Sequence, residues 1–164
     1  VISALSSRLY FLLIPRLIRL TVSRSMLSNT LNTNEIKNSA GTEVEFSHLS
    51  TSDRQRMFHQ IGETPSAPHR LTISHSETGS GMKQRRRSVV RFDKTVISGV
   101  DTVTPITVSA YTVLDYPIGA SLTGAEAANV LAELMSFSAS LGADATILFN
   151  CTGNGANALL NGEL

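Results

Sequence analysis

The sequence predicts an α+β domain made of an N-terminal β-hairpin, an antiparallel β-meander and C-terminal helices. Three observations carry this. Arg70–Ser76 and Arg85–Val96 alternate apolar and polar residues with the period of two that a half-buried strand requires. Pro105–Tyr116 repeats the pattern over a longer run. Beyond Pro117 the period changes. Ala127, Val130, Leu131, Leu134 and Phe137 recur near helical spacing, behind the capping-box form Thr123-Gly124-Ala125-Glu126.

The chain has 164 residues, 41% of them hydrophobic and 16% charged, which is enough for one core, too apolar for a disordered chain and too sparsely charged for a typical soluble enzyme surface. So sparse a charge suits a surface packed against copies of itself. Trp is absent and aromatics are few, so Val, Ile, Leu and Ala must fill most of the core. Cys151 is the single cysteine, which excludes an intrachain disulfide, a thiolate zinc site and a redox CxxC pair. It is expected to be a small buried hydrophobe.

Residues 1–25 differ in kind from the rest. They hold Arg8, Arg16, Arg19 and Arg24 and no acid, leaving ten basic against thirteen acidic residues for the remainder. The apolar run Leu9–Ile14 ends at Pro15 and Arg16 and is too short to span a bilayer. The composition is that of a transit peptide more than a secretory signal. Because composition changes abruptly at Met26, the expected division is 1–25 as an upstream-translated or disordered basic segment, and 26–164 as the folded domain.

Within the domain, Glu35–Asn38 and Glu43–Phe46 flank Ser39-Ala40-Gly41-Thr42, and read as the hairpin. Ser50–Arg56 is polar and reads as a connection, Arg56–Ile61 as a short strand, and Gly62–Pro68 as a loop. In the next strand Leu71, Ile73 and His75 share one face and Thr72, Ser74 and Ser76 the other. His75 is thus expected in a core or an interface. Thr78–Gly81 is a turn. Ser88, Val90 and Phe92 then oppose Arg87, Val89, Arg91 and Asp93. Ser98–Thr104 is a loop, after which Ile106, Val108, Ala110, Thr112 and Leu114 oppose Thr107, Ser109, Tyr111, Val113 and Asp115. The first helix is expected to reach about Ala139 with Gly142 as its stop; Asp144–Asn150 is a candidate second helix, with Gly153–Gly155 before a small-residue tail. One helical layer covers one sheet face, which leaves the Thr, Ser, Arg and Tyr face for solvent or a polar ligand.

Arg85-Arg86-Arg87, with Lys83, Arg91 and Lys94, is the densest charge cluster. An isolated run of this kind is usually a solvated hairpin end. Here it enters a strand, and Arg87 and Arg91 share a face with Thr72, Ser74, Ser109 and Tyr111. Arginines meet phosphates, hydroxyls meet sugars and base edges, and a Tyr ring stacks on an unpaired base. His48, His59, His69 and His75 lack ligand spacing, no G-x-S-x-G elbow occurs, and the glycine pairs are not phosphate loops. No cofactor, metal or catalytic constellation is indicated.

The blocks HRLTISHSETGSGMKQRRRSVVRFDKTV (69–96), TPITVSAYTVLDYP (104–117) and SLTGAEAANVLAELMSFSAS (121–140) resemble, in order and spacing, the coat proteins of the leviviruses, the single-stranded RNA bacteriophages. The resemblance implies a non-enzymatic protein whose subunits intertwine as homodimers, sheet edge to sheet edge, with helices reaching over the partner's sheet. It implies an icosahedral T=3 shell assembled in the bacterial cytoplasm, with no membrane partner. It also implies a genomic RNA hairpin on the polar face, for packaging and translational repression. The RNA-contacting positions then fall on Thr72, Ser74, Arg87, Val89, Arg91, Ser109 and Tyr111; Val89 stands where relatives often carry a polar residue. Residues 1–25 have no counterpart in that family. Two readings from other classes stand beside this one: a cellular single-stranded nucleic-acid-binding module of α+β type, and a small enzyme with a dispersed site.

Overall fold

A computed structural model describes residues 27–119, 124–141 and 149–162. Six strands form one antiparallel sheet in sequence order: β1 Thr30–Leu31, β2 Phe46–Ser52, β3 Gln55–Gln60, β4 His69–Thr78, β5 Arg85–Ile97 and β6 Pro105–Pro117. Helices α1, Gly124–Ala139, and α2, Asn154–Asn161, follow. The expected meander and terminal helices are therefore present. The expected segment 1–25, the start at Met26, the cap residue Thr123, the stop at Gly142 and most of Asp144–Asn150 lie outside the described residues.

Four expectations need correction. The hairpin at 35–46 is reduced to one isolated bridge, Lys37 with Glu43, closed by Val44 N–H donating to the Ile36 carbonyl at 2.9 Å. The first true hairpin is β2–β3, and its strands occupy most of Ser50–Arg56, the stretch read as a connection. Asp53 and Arg54 make the turn, without the usual Gly. The second described helix begins at Asn154, within the glycine stretch, and runs through the residues read as a tail, while Phe149 and Asn150 sit in a turn. Cys151 is exposed, at a left-handed φ of 59°, and is not a core residue.

The alternation read along β4, β5 and β6 is the alternation observed. Directly opposed residues of antiparallel strands share a face. The rows His48–Phe58–Leu71–Phe92–Ala110 and Arg56–Ile73–Val90–Thr112 therefore lie on one side. The helices lie on that side too, since Leu131, Met135 and Leu159 wall a groove floored by Val90, Phe92, Ala110 and Leu114.

The core sits at the β1–β4 half of this face. Phe46 and Phe58 are fully buried, Leu31 and Leu71 nearly so, and Ile36, Val44, Ile73 and Phe92 pack around them. Phe46 meets Phe92 edge-on with centroids 5.9 Å apart, a favoured aromatic geometry. The β5–β6 half is different. Val90, Ile106 and Val108 remain 40%, 47% and 64% exposed although they face the helices. α1 packs mainly on α2 and only sparsely on β6. One chain thus leaves half of its apolar sheet face open, an arrangement that water disfavours.

The β4–β5 connection fixes the sheet's central hairpin. Gly79 holds φ at 77°, and a Cβ there would lie 2.6 Å from the Lys83 carbonyl oxygen, so the turn requires glycine. A short 3-10 turn, Gly81–Lys83, completes it.

Candidate nucleic-acid interface

The face opposite the helices is built by registry. Ser74, Val89 and Val113 form one transverse row; Met57, Thr72, Arg91 and Tyr111 form the next; His59, Arg70, Asp93 and Ser109 form a third. Arg87 lies between Ser76 and Asp115 in a fourth. All seven positions singled out in the sequence, Thr72, Ser74, Arg87, Val89, Arg91, Ser109 and Tyr111, therefore stand together on one surface of β4, β5 and β6. Sequence reasoning missed the contribution of β3, whose Gln55, Met57 and His59 widen this surface. The β3–β4 register is the signal that recruits them.

The arginine run splits between faces, as strand geometry demands. Arg85 and Arg87 point to the polar face. Arg86 points to the helix side, where Glu77 accepts from its Nε at 3.0 Å and from its Nη2 at 2.8 Å. Lys94 also lies on the helix side, opposite His69. The six cations therefore do not form one patch.

Most arginines on the polar face are already paired. Arg91 Nε donates to Asp93 Oδ1 at 2.9 Å, and Ser109 Oγ donates to the same oxygen. These bonds hold the Asp93 carboxyl below the usual carboxylate range and push Arg91 higher still. Arg85 donates to Asp115 at 2.9 Å, and Arg70 is bonded to Glu63. Arg87 alone among these four has no ion pair among the described residues. Tyr111 is 67% exposed, so its ring offers a free stacking face beside the Arg91–Asp93–Ser109 group. The surface is a flat platform with one unpaired guanidinium, a fixed Arg–Asp–Ser network, a row of hydroxyls and a free phenol.

Other chemistries find less support. Among the described residues no group of three or more His, Cys, Asp or Glu gathers as a metal would require. His75 lies on the helix side, exposed in the single chain, with Nδ1 2.9 Å from Ser88 Oγ. No described helix is long and apolar enough to cross a membrane.

No protein-family model matches the chain, and no curated protein matches it. Solved structures do. The coat protein of bacteriophage EMS014 superposes with a TM-score of 0.57 at 15% identity, over 73% of this chain and 86% of that one. A virus-like particle of the same bacteriophage gives 0.55 at 13%, over 74% and 88%. The chain has the bacteriophage coat-protein fold. The coat-protein fold comprises here the six-stranded antiparallel sheet followed by two helices, which is the α+β architecture expected from the sequence.

Proposed function

We propose that this chain is a structural, non-enzymatic coat protein of a single-stranded RNA bacteriophage. Copies pair as homodimers and assemble into an icosahedral T=3 shell in the bacterial cytoplasm, and the polar sheet face takes a genomic RNA hairpin for packaging and translational repression. The observation that carries the reading is the coat-protein fold with its helix-side face left half open. Val90, Ile106 and Val108 need a cover that the chain's own helices do not supply, and a second copy has apolar helix surface to offer. β6 is also an outer strand of 13 residues whose outer edge pairs with no strand among the described residues, and it is suited to pairing with its own copy.

The RNA assignment is supported by the opposite face. Arg87 is available for phosphate, and Thr72, Ser74 and Ser109 for sugar and base edges. Arg91 stays oriented by Asp93, and Tyr111 is placed for a splayed base. Val89 supplies only an apolar floor between Ser74 and Val113. The test is electron microscopy and sedimentation of the purified protein with a nuclease-protection assay. Closed shells that protect RNA are expected. A small soluble species that binds single strands without forming shells would favour the cellular binding module instead.

A further inference from the structure

The four histidines of the chain do not share a side of the sheet. His48 lies on the helix side, where it meets Phe58 edge-on, and His69 and His75 lie there too. His59 alone stands on the polar face, between Ser47 of β2 and Arg70 of β4. Its side chain is 32% exposed.

Glu63, in the β3–β4 connection, accepts from the His69 backbone N–H at 2.8 Å and from Arg70 Nη1. Its Oε1 also lies 3.6 Å from His59 Nδ1, too far for a hydrogen bond. The other ring nitrogen of His59, Nε2, has no hydrogen-bond partner among the described residues. The charged groups on the elements around the ring are Glu45, two residues before Ser47, then Glu63 and Arg70, and beyond Arg70 the Asp93–Arg91 pair.

Charge on this face is nearly cancelled. Strands β3–β6 present four arginines to it, and carboxylates pair three of them: Glu63 with Arg70, Asp115 with Arg85 and Asp93 with Arg91. Only Arg87 is left over. A proton on His59 raises the uncancelled charge from one to two, and histidine is the side chain that takes up its proton between about pH 8 and pH 5. The two cations would also be well separated. Arg87 and Asp93, which stands in the row of His59, are six residues apart on β5, or about 20 Å.

We propose that His59 is a second phosphate contact of the polar face, made when its ring is protonated, so that the face grips RNA more tightly in mild acid. In the protonated ring both nitrogens donate. Nδ1–H turns to Glu63, and Nε2–H is left for a phosphate oxygen, an ion pair that the neutral ring does not offer. Protonation and binding are therefore linked, and the complex takes up a proton. The inference rests on the RNA reading above and adds to it a contact and a pH dependence.

The test is fluorescence anisotropy of the full chain with an RNA stem-loop whose loop is all uridine, at fixed ionic strength. Sedimentation checks that the assembly state is the same at each pH. From pH 7.5 to pH 5.5 the native affinity should rise by about fivefold, and the salt slope should steepen by about one. His59→Gln should bind like the native chain at pH 7.5 and gain nothing at pH 5.5. His59→Lys, which carries the charge throughout, should bind tightly at both. His75→Gln, on the helix side, should keep the native response. A native affinity equal at the two pH values, or a gain that survives in His59→Gln, overturns this inference and leaves the RNA reading intact. A native chain that binds no stem-loop at either pH overturns both.

Discussion

Arg91 donates to Asp93 Oδ1 at 2.9 Å, two residues along the same strand face, so its guanidinium is held in place before any ligand arrives. Four residues earlier, on the same face, Arg87 has no such acid among the described residues. The two arginines are therefore unequal.

Arg87→Ala should weaken binding of a short RNA stem-loop by about tenfold and lower the salt slope by about one, as loss of one phosphate contact does. Arg91→Ala should cost less, about threefold, because Asp93 already engages its guanidinium and leaves less of it for phosphate. Asp93→Asn should raise affinity by removing the competing carboxylate. Fluorescence anisotropy across a salt series checks all three. Equal affinities for every variant would place the RNA elsewhere.

Among the described residues, Phe46 and Phe58 are the two fully buried large side chains. Phe58→Ala should destabilise the fold by about 3–5 kcal/mol, read as a lower urea midpoint with little change in slope. Val108→Ala, at an open position of the same sheet face, should leave the monomer's urea midpoint nearly unchanged and weaken association instead.

Gly155 sits where α2 meets α1, and a Cβ there would lie 2.0 Å from the Phe137 carbonyl oxygen. Gly155→Ala should force the helices apart, with a cost of about 1–3 kcal/mol to their packing. Hydrogen exchange should quicken in α1 and α2 and stay slow in β2–β5.

His69 is partly buried against Phe46, centroids 5.0 Å apart, and faces Lys94 across the strand pair. Burial first, and Lys94 second, hold its pKa below the ordinary value of 6.5. The unfolded chain thus binds this proton more readily than the folded one. Its contribution to stability is present above the ordinary histidine range and is lost as pH falls through it. His69→Gln should flatten the fall in urea midpoint between pH 7.5 and pH 5. An unchanged slope would assign the pH response to other groups.

The sheet was legible where one face is apolar and the other polar. In β4, β5 and β6 that contrast fixed both the strands and the face of each residue, and all seven candidate positions came out on one surface. β2 was not legible, because its register shifts between His48 and Ser50, which puts Leu49 out of step and breaks the alternation. Its turn at Asp53 and Arg54 also lacks a glycine signal. α2 reads NGANALLN, poor in strong helix formers; it is held by close approach to α1 at Gly155 and to Ser140, just beyond α1, at Gly153, a tertiary cause that local sequence does not display. Side-chain pairing was equally hidden: nothing in the run of arginines distinguishes Arg87 from Arg85 or Arg91 until Asp115 and Asp93 are placed.

The claim beneath all of this is that one chain is half a folding unit on its helix side. Sedimentation velocity of the purified protein across a dilution series, with electron microscopy of the same samples, tests it most directly. The account predicts dimers that persist to low concentration and closed particles at high concentration. A folded monomer at every concentration, with no particles, would contradict it.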